Sequence, residues 1–501
     1  MKRQGSPWLV MVRMLIFVSV VISLSATTIA ADRYSTADLL SMDIEELVNV
    51  KVTTLSKREE AYMATAGAVF VITSDDIRRS GVRSIPDALR LAPGLQVSQT
   101  NMNQYQLGIR GQTDFWTDLL LVMVDGRPIY NTTFSGVWWV AQNYPLEESE
   151  RIEVVRGPGG ALWGSNAVNG VINIITKHAG ASQGLRVTAG GGTEDKGFGN
   201  ISFGSTAGKL DYRLYAMREN RHGGLAPAGI AGYPVGDEMP DFRRMKQQGF
   251  RLDWDATAAT KLSLHGDAYQ IAAGQVGYWL PTITPGQRHD NYTATNGFNG
   301  KNLVMRLESE VIPDVTFKGQ LYYDQYKVHT QLMREKKEAF DVDVQLDLTD
   351  FLQQNISIGL NRRHLKSRFD QTPRFQMPSR KTHLTSFFIN DELSLFDGLL
   401  RFTGGLKMER NTYTPWESQP NVRAVVSDDN WALWASASRA VRVPNDIENA
   451  GMWNVRTTGG LPFLLRAIGD GRATSEKVTT YEVGGRLRPT DKSLIELTAC
   501  K

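Results

Sequence analysis

ERIEVVRGPGGALWGSNAVNGVINIIT, residues 150–176, decides how the rest of the chain is read. It holds two short β-prone runs, at 152–155 and 171–175, separated by Gly157-Pro158-Gly159-Gly160, Gly164 and Gly170. Glycines at this density serve tight turns and close backbone approach. A charged strand, a glycine-rich turn and an apolar strand predict a compact domain with charges held beside the turn. In the first strand Arg151 and Glu153 share one face, while Ile152 and Val154 share the other. Arg110, Glu150 and Arg156 are further charges in or beside strands with apolar neighbours. Two readings stay open here. One is a solvated face on a soluble domain; the other is an ion network against another wall, where an unpaired charge costs several kcal/mol.

The stretch before this one carries an export pattern. Lys2, Arg3 and Arg13 precede or flank an apolar run at 15–24, and Thr28-Ile29-Ala30 offers a small-x-small cleavage site. The run is shorter than the roughly 20 residues of a spanning helix, so residues 1–31 are expected to be a cleaved signal rather than an anchor. The formal charge of +3 on 501 residues is too small to suggest nucleic acid binding. Forty-six glycines, sixteen tyrosines and eleven tryptophans lean toward an all-β protein with aromatic bands. Cys500 is the single cysteine, which rules out an intrachain disulfide.

Residues 38–50 have the spacing of a short amphipathic helix. Val50, Lys51, Val52, Thr53 and Thr54 are extended by propensity and run into a charged, flexible-looking SKREE. Such a segment is either an edge strand or one offered to a partner, since strand addition relies on main-chain hydrogen bonds. A strand at 69–72 then leads to a helix capped by Thr73 or Ser74 and stopped by Gly81. Pro86 suits the first turn of a second helix. Strands follow at 107–110, which carries Arg110, and at 119–124, which turns at Asp125-Gly126. The sum is a mixed α/β domain without a P-loop, dinucleotide fingerprint or HExxH. His178, His222, His265, His289, His329, His364 and His383 lack ligand spacing, so no metal or cofactor is expected.

Beyond residue 181 the period becomes two. Phe340, Val342, Val344, Leu346 and Leu348 alternate with Asp341, Asp343, Gln345 and Asp347, and similar rows recur in fourteen segments. These are 184–190, 197–206, 209–218, 247–256, 261–271, 301–310, 315–325, 338–348, 354–363, 382–392, 399–409, 430–438, 477–488 and 492–500. Segments near ten residues with one greasy and one polar face predict transmembrane β-strands. A soluble sandwich would have to bury the greasy rows as a core. The many acids on the polar face suit a hydrated lumen or an enclosed domain instead.

Taken in order, several blocks resemble the TonB-dependent outer-membrane receptors of the siderophore/cobalamin type. They are LLSMDIEELVNVKVTTLSKREE (39–60), AVFVITSDDIRRSGVRSIPDALRLAPGLQV (68–97), LGIRG (107–111), LLVMVDGRPIY (120–130) and ESERIEVVRGPGGALWGSNAVNGVINIITK (148–177). ALWASASRAVRVPND (432–446) and SEKVTTYEVGGRLRP (475–489) resemble barrel motifs of that family. The resemblance implies a cleaved signal (1–31), an energy-coupling box region and linker (32–60), an α/β plug (61–180) and an antiparallel transmembrane barrel (181–501). It also implies active import of a ferric siderophore, cobalamin or similar substrate by a monomer in the outer membrane, touching lipid. A TonB-like periplasmic protein would grip the box region, Val50 to Thr54, and no covalent chemistry would occur. Arg110, Glu153 and Arg156 would belong to a plug–barrel ion network. Glu482 is expected as the wall partner of Arg156 or Arg110, because Thr480, Glu482, Gly484 and Arg486 share the lumen side of their strand. Phe115, Trp116 and Trp138 lie where plug apices project; they could stack on substrate or pack against the wall.

The resemblance also implies a plugged barrel of about 22 strands, and the sequence stops at LIELTACK, within the fourteenth. The expectation is therefore a partial barrel, with a binding-only or inactive receptor as the alternative. A signalling receptor, an adhesin and a soluble plug module fit less well. The first would need an extra N-terminal domain, and the second would have no use for a plug.

Overall fold

The computed structural model describes residues 51–113, 118–142, 144–226, 234–277, 292–330, 332–372, 375–456, 464–490 and 493–501. The expected signal, the helix at 38–50, Val50, Phe115, Trp116 and His289 lie outside the described residues.

The first part contributes β1 (Lys51–Val52), β2 (Glu60–Ala61), β3 (Val69–Thr73), β4 (Leu95–Asn101) and β5 (Gln104–Ile109). It continues with β6 (Gln112–Thr113), β7 (Leu120–Val124), β8 (Arg127–Pro128), β9 (Ser149–Arg156) and β10 (Gly170–Thr176), and with helices α1 (Ser74–Ser80), α2 (Ile85–Leu89) and α3 (Gly160–Trp163). The deciding stretch is thus β9, α3 and β10. β9 runs antiparallel to β10, with Gly170 opposite Arg156, and β10 runs parallel to β7. The full order is β3-β9-β10-β7-β8.

Alternation along β9 sorts two cores. Ile152 and Val154 face α1 and α2 with Ile77, Leu89 and Ile172. Val155 faces the other side with Val71, Met123 and Val171, under a cover of Val52, Leu55 and Tyr62. Glu153 shares that second side and is 0% exposed. Thr73 and Asp76 close a capping box at the start of α1, and Gly81 ends it at φ +68°. Arg110 does not end a strand, as the sequence suggested. β5 stops at Ile109, and Arg110 turns through φ +58° to aim its side chain at the wall.

The second part adds β11 (Gly184–Gly190), β12 (Gly197–Ala207), β13 (Leu210–Arg221), β14 (Arg243–Asp255), β15 (Thr260–Gly277) and β16 (Tyr292–Ile312). Next are β17 (Val315–His329), β18 (Arg334–Phe351), β19 (Gln354–Asp370), a short β20 (Phe375–Gln376), β21 (Arg380–Leu395) and β22 (Leu400–Asn411). Last come β23 (Glu417–Ser427), β24 (Trp431–Arg442), helix α4 (Asp446–Ala450), β25 (Met452–Arg456), β26 (Leu464–Ile468), β27 (Glu476–Thr490) and β28 (Ser493–Cys500). Among the described residues, all but β20, β25 and β26 form one antiparallel sheet of 15 strands, each beside its neighbour in sequence. That is one more than expected. β23 was missed because Pro420 interrupts it and its inward row is Gln419, Asn421 and Arg423. Among the described residues no ladder joins β11 to β28.

The wall is inside-out relative to a soluble protein. On β27, Tyr481 is 60% and Val483 57% exposed, whereas Glu482 and Arg486 are buried. On β18, Phe340 and Leu346 point outward while Asp341, Gln345 and Asp347 are enclosed. Greasy rows outside and charges inside are what a strand between lipid and a filled lumen requires.

Candidate functional site

Charged side chains join the plug to the wall. Arg110 pairs with Glu482, which also accepts from the buried Trp434 Nε1–H at 3.1 Å. Arg156 pairs not with Glu482 but with Glu496 on β28. Glu496 also accepts from Arg486 Nε at 2.7 Å. Arg486 is buried and reaches back into the plug. Its Nη1 donates to the Tyr62 carbonyl at 2.7 Å and the Thr65 carbonyl at 3.2 Å, and its Nη2 donates to the Gly67 carbonyl at 2.5 Å. Its guanidinium lies between the rings of Tyr62 and Trp434, 4.6 and 4.8 Å from their centroids. Further round the wall, Arg127 pairs with Asp324, Arg213 with Glu148 at 3.1 Å, and Arg442 with Asp118 at 3.4 Å.

Asp125 shows why the plug hairpin turns where it does. Its carboxylate accepts from the Thr176 N–H at 3.0 Å and the Thr176 hydroxyl at 2.7 Å. Arg251 and His265 of the wall lie 3.9 and 3.4 Å away. Burial pushes its pKa up, but the positive field of His265, Arg306 and Arg251 and the Thr176 N–H outweigh that and hold it down at about 2.

Glu153 does not join Arg110 and Arg156. It serves the N-terminal segment instead. Its carboxylate accepts from the Thr53 N–H at 3.0 Å, the Thr54 N–H at 2.8 Å and the Thr54 hydroxyl at 2.5 Å, with Arg151 Nε at 2.8 Å. Trp163 Nε1–H donates to the Thr54 carbonyl at 2.7 Å. Lys51 and Val52 pair with Ala61 and Glu60, and Val52 is 1% exposed. Lys57 sits 3.8 Å from Asp343 and over the rings of Trp163 and Phe388. Thus 51–59 is not the loose tether that its charge suggested. It is folded onto the plug.

Alongside these contacts a cavity of about 750 Å³ lies between plug and wall, lined from Thr53, Lys57 and Trp163 to Tyr413 and Asn445. Tyr130, Asn131 and Trp138 line it from the plug, with Tyr322, Lys337 and Tyr413 from the wall. Trp138 is half-buried and packs on Phe134 and Phe298, with centroids 4.7 and 5.6 Å away. Its indole N–H is buried without a partner among the described residues. The apex is tied to the wall and to α4. Lys337 Nζ donates to Thr132 Oγ1 at 2.5 Å, and the Asp446 and Ile447 N–H groups donate to the Thr132 and Thr133 carbonyls at 2.9 and 3.0 Å.

Arg486, Glu496, Asp125 and Trp163 were not singled out as site residues. Inward alternation on β27 and β28 was the available signal for the first two. Nothing in the local sequence marks Trp163.

A family model described as TonB-dependent Receptor Plug Domain matches residues 61–171, and one described as TonB dependent receptor-like, beta-barrel matches residues 185–500. The vitamin B12 transporter BtuB of Vibrio vulnificus is 34% identical over 153 residues, 30% of this chain and 24% of that protein. The ferric enterobactin receptor PirA of Pseudomonas aeruginosa is 36% identical over 132 residues, 24% of this chain and 17% of that one. The chain thus aligns with under a third of the length of these relatives. A crystal structure of a mutant of the P. aeruginosa ferric enterobactin receptor PfeA superposes with a TM-score of 0.70 at 18% identity, covering 90% of this chain and 72% of that one. That of the P. aeruginosa siderophore receptor PirA gives 0.67 at 20% identity, covering 87% and 74%. At these identities the structural likeness speaks for the fold.

Proposed function

The chain belongs to the TonB-dependent receptor family, and from that premise we propose that it is an outer-membrane receptor that imports a scarce, bulky nutrient of the siderophore or cobalamin class. The observation that carries this reading is a plug tied by ion pairs to a wall whose apolar face points outward. The substrate meets the part of the cavity at the plug apex, where Trp138 and the neighbouring tyrosines offer aromatic surface. Phe115 and Trp116 are assigned to the same contact. A TonB-like periplasmic protein adds a strand to Val50–Thr54 and pulls. Arg110–Glu482 and Arg156–Glu496 separate as water enters, and no covalent step is involved. The protein works as a monomer. In the bilayer the main-chain groups along the edges β11 and β28 must be paired, since lipid cannot satisfy open edges.

The test is uptake of radiolabelled cobalamin and of ferric siderophores by cells with and without the gene, and with Val52→Pro. Proline there removes the main-chain donor that strand addition uses. Surface binding retained with uptake abolished in Val52→Pro is the expected result. Uptake unchanged by both deletion and Val52→Pro for every ligand of these classes would overturn the reading.

A further inference from the structure

We propose that three consecutive turns on the periplasmic rim of the wall are seated in the lipid headgroup layer, and that they anchor the wall on the side where residues 57–64 meet it. The turns are those of β16–β17, β18–β19 and β21–β22, which follow one another round the sheet. Neighbouring strands lie about 4.8 Å apart, so adjacent turns are about 10 Å apart and the three form one arc. Each holds large apolar side chains in the open: Val311 and Ile312, Phe351 and Leu352, Phe396 and Leu399. Other turns at this rim differ. Residues 208–209 are Gly-Lys, 256–259 are Ala-Thr-Ala-Ala, and 428–430 are Asp-Asp-Asn. An exposed apolar arc between polar or small neighbours marks a contact surface.

Height along the wall points to lipid as what covers it. The outward apolar rows stop at charge on the side of the plug apex: Lys301 is one outward step above Leu303 on β16, and Arg362 one step above Leu360 on β19. Leu303 to Ile312, like Phe387 to Phe396, spans about nine residues, a rise of about 23 Å at about 3.3 Å per residue and a tilt near 40°. An outer-membrane wall presents an apolar band of about 25 Å. The band reaches that height only if the turns belong to it, so the lipid against Leu346 and Ile389 covers the turns as well. Backbone strain gives a second, independent leg. Leu352 and Gln353 make the two-residue turn between Phe351 and Gln354 at φ +54° and +65°, and Phe396 turns at φ +55°. Glycine, asparagine and aspartate suit such turns. Leucine and phenylalanine stand there instead, 78% and 74% exposed, so the chain's own packing repays little of the strain. A lipid surface repays it. Asp314, Asp350 and Asp397, one in each turn, set the depth at the headgroups rather than among the acyl chains.

On the inner side of the same strands, Lys57 lies 3.8 Å from Asp343 of β18, and Arg401 at the foot of β22 donates to the Ala64 carbonyl. A pull on that segment therefore loads the wall where lipid holds its rim. This consequence rests on the reading of the segment as the coupling strand; the seat in lipid does not.

The test uses the full chain in phosphatidylcholine nanodiscs, whose two faces share one solvent. Exposed Cys500 is first replaced by serine. Ile312→Cys, Leu352→Cys and Phe396→Cys, with Asp429→Cys in the β23–β24 turn as reference, are then labelled singly with an environment-sensitive fluorophore. At the three arc sites, lipid carrying a spin label near its headgroup should quench about 3-fold more than at 429, and iodide about 3-fold less, as expected for side chains set about 5–10 Å into the interface. Quenching at the arc sites within 2-fold of that at 429 for both reagents overturns the proposal. Arc sites open to iodide in nanodiscs, yet closed to a charged maleimide in isolated outer membranes, would show a protein covering the arc and overturn it too. Failure of nutrient uptake to depend on Val52 would leave these readouts unmoved, so the two readings fail separately.

Discussion

Glu482→Ala isolates what one plug–wall ion pair contributes. Glu482 is 7% exposed and is shared by Arg110 and the Trp434 indole, so its loss orphans a guanidinium and a buried N–H together. Removing one partner of a buried pair costs about 3–5 kcal/mol. Arg110 keeps a quarter of its side chain exposed and regains some water, so the lower end of that range applies to it. The stranded Trp434 N–H adds about 1 kcal/mol. Allowing for water entering the gap, we expect about 3 kcal/mol in total, roughly a 100-fold rise in the open-plug population. Trypsin cleavage in detergent, followed at Arg156 in the 155–159 segment, which every variant keeps, reads that population when reclosing outpaces cleavage. A double-mutant cycle with Arg110→Met and Glu482→Met provides the decisive comparison, because deleting both charges leaves neither one buried alone. The double variant should lie within about 1 kcal/mol of the parent, against about 3 for each single change. Plug cleavage equal in parent and Glu482→Ala, or a double variant as damaged as the sum of the singles, would refute the argument.

Arg486→Lys should loosen the plug by about 2–3 kcal/mol, since an ammonium cannot reach Glu496 and three plug carbonyls from one planar fork; urea denaturation followed at Trp434 checks it, and a midpoint equal to the parent's counts against it. Asp125 has a folded-state pKa of about 2 against an ordinary 3.8, so its contribution is complete above pH 4 and is lost as pH falls toward 2. The gap in stability between parent and Asp125→Asn should therefore shrink by about 2 kcal/mol between pH 5 and pH 2. Parallel pH profiles for the two would show that the carboxylate is not held by charge.

The sequence predicted the two-part architecture because its clearest signals were periodic. Greasy and polar residues alternate wherever lipid and lumen face opposite sides of one strand. The same cause explains what was illegible. β16 runs from Tyr292 to Ile312, yet only 301–310 is predicted from alternation, because further up the strand the inward row carries Phe298, packed on Trp138 of the plug, while Asn299 points outward, so the greasy-out, polar-in pattern fails there. β23 hid behind Pro420, which is tolerated because the long outward-facing wall has other ladder bonds to hold it. At the site, Glu482 could be named as a wall partner because it sits on the inward row of β27, whereas Arg110 came from the family resemblance. Arg156 could have gone to either of two glutamates, and which one was nearer depended on how β27 and β28 stagger. Glu153 misled for a physical reason. Its neighbours mark a charge facing something, and the sequence cannot say that the something is the chain's own residues 53 and 54.

The choice of ions over grease at the plug–wall boundary follows from the need to move. Apolar contact across it is confined to small patches, such as Val140 and Ala141 against Met245, Ile271 and Phe298, and Ala68 against Val425 and Trp434. An apolar patch costs the same area-dependent energy to separate whatever solvent enters. An ion pair behaves differently. While the gap is dry, parting Arg213 from Glu148 or Arg156 from Glu496 leaves bare charges and is strongly opposed. Once water reaches them, hydration replaces most of what is lost, and the same contact becomes weak. A boundary built this way resists random opening but yields after the first pair is flooded, and directional bonds restore the register when the plug returns. It follows that the pair nearest the pulled segment should control the start of opening. Here that is Lys57–Asp343, whose lysine lies in the segment itself, and next after it Arg156–Glu496, since Glu496 also bears on Arg486 and, through it, on Tyr62 and Thr65 just behind residues 51–60.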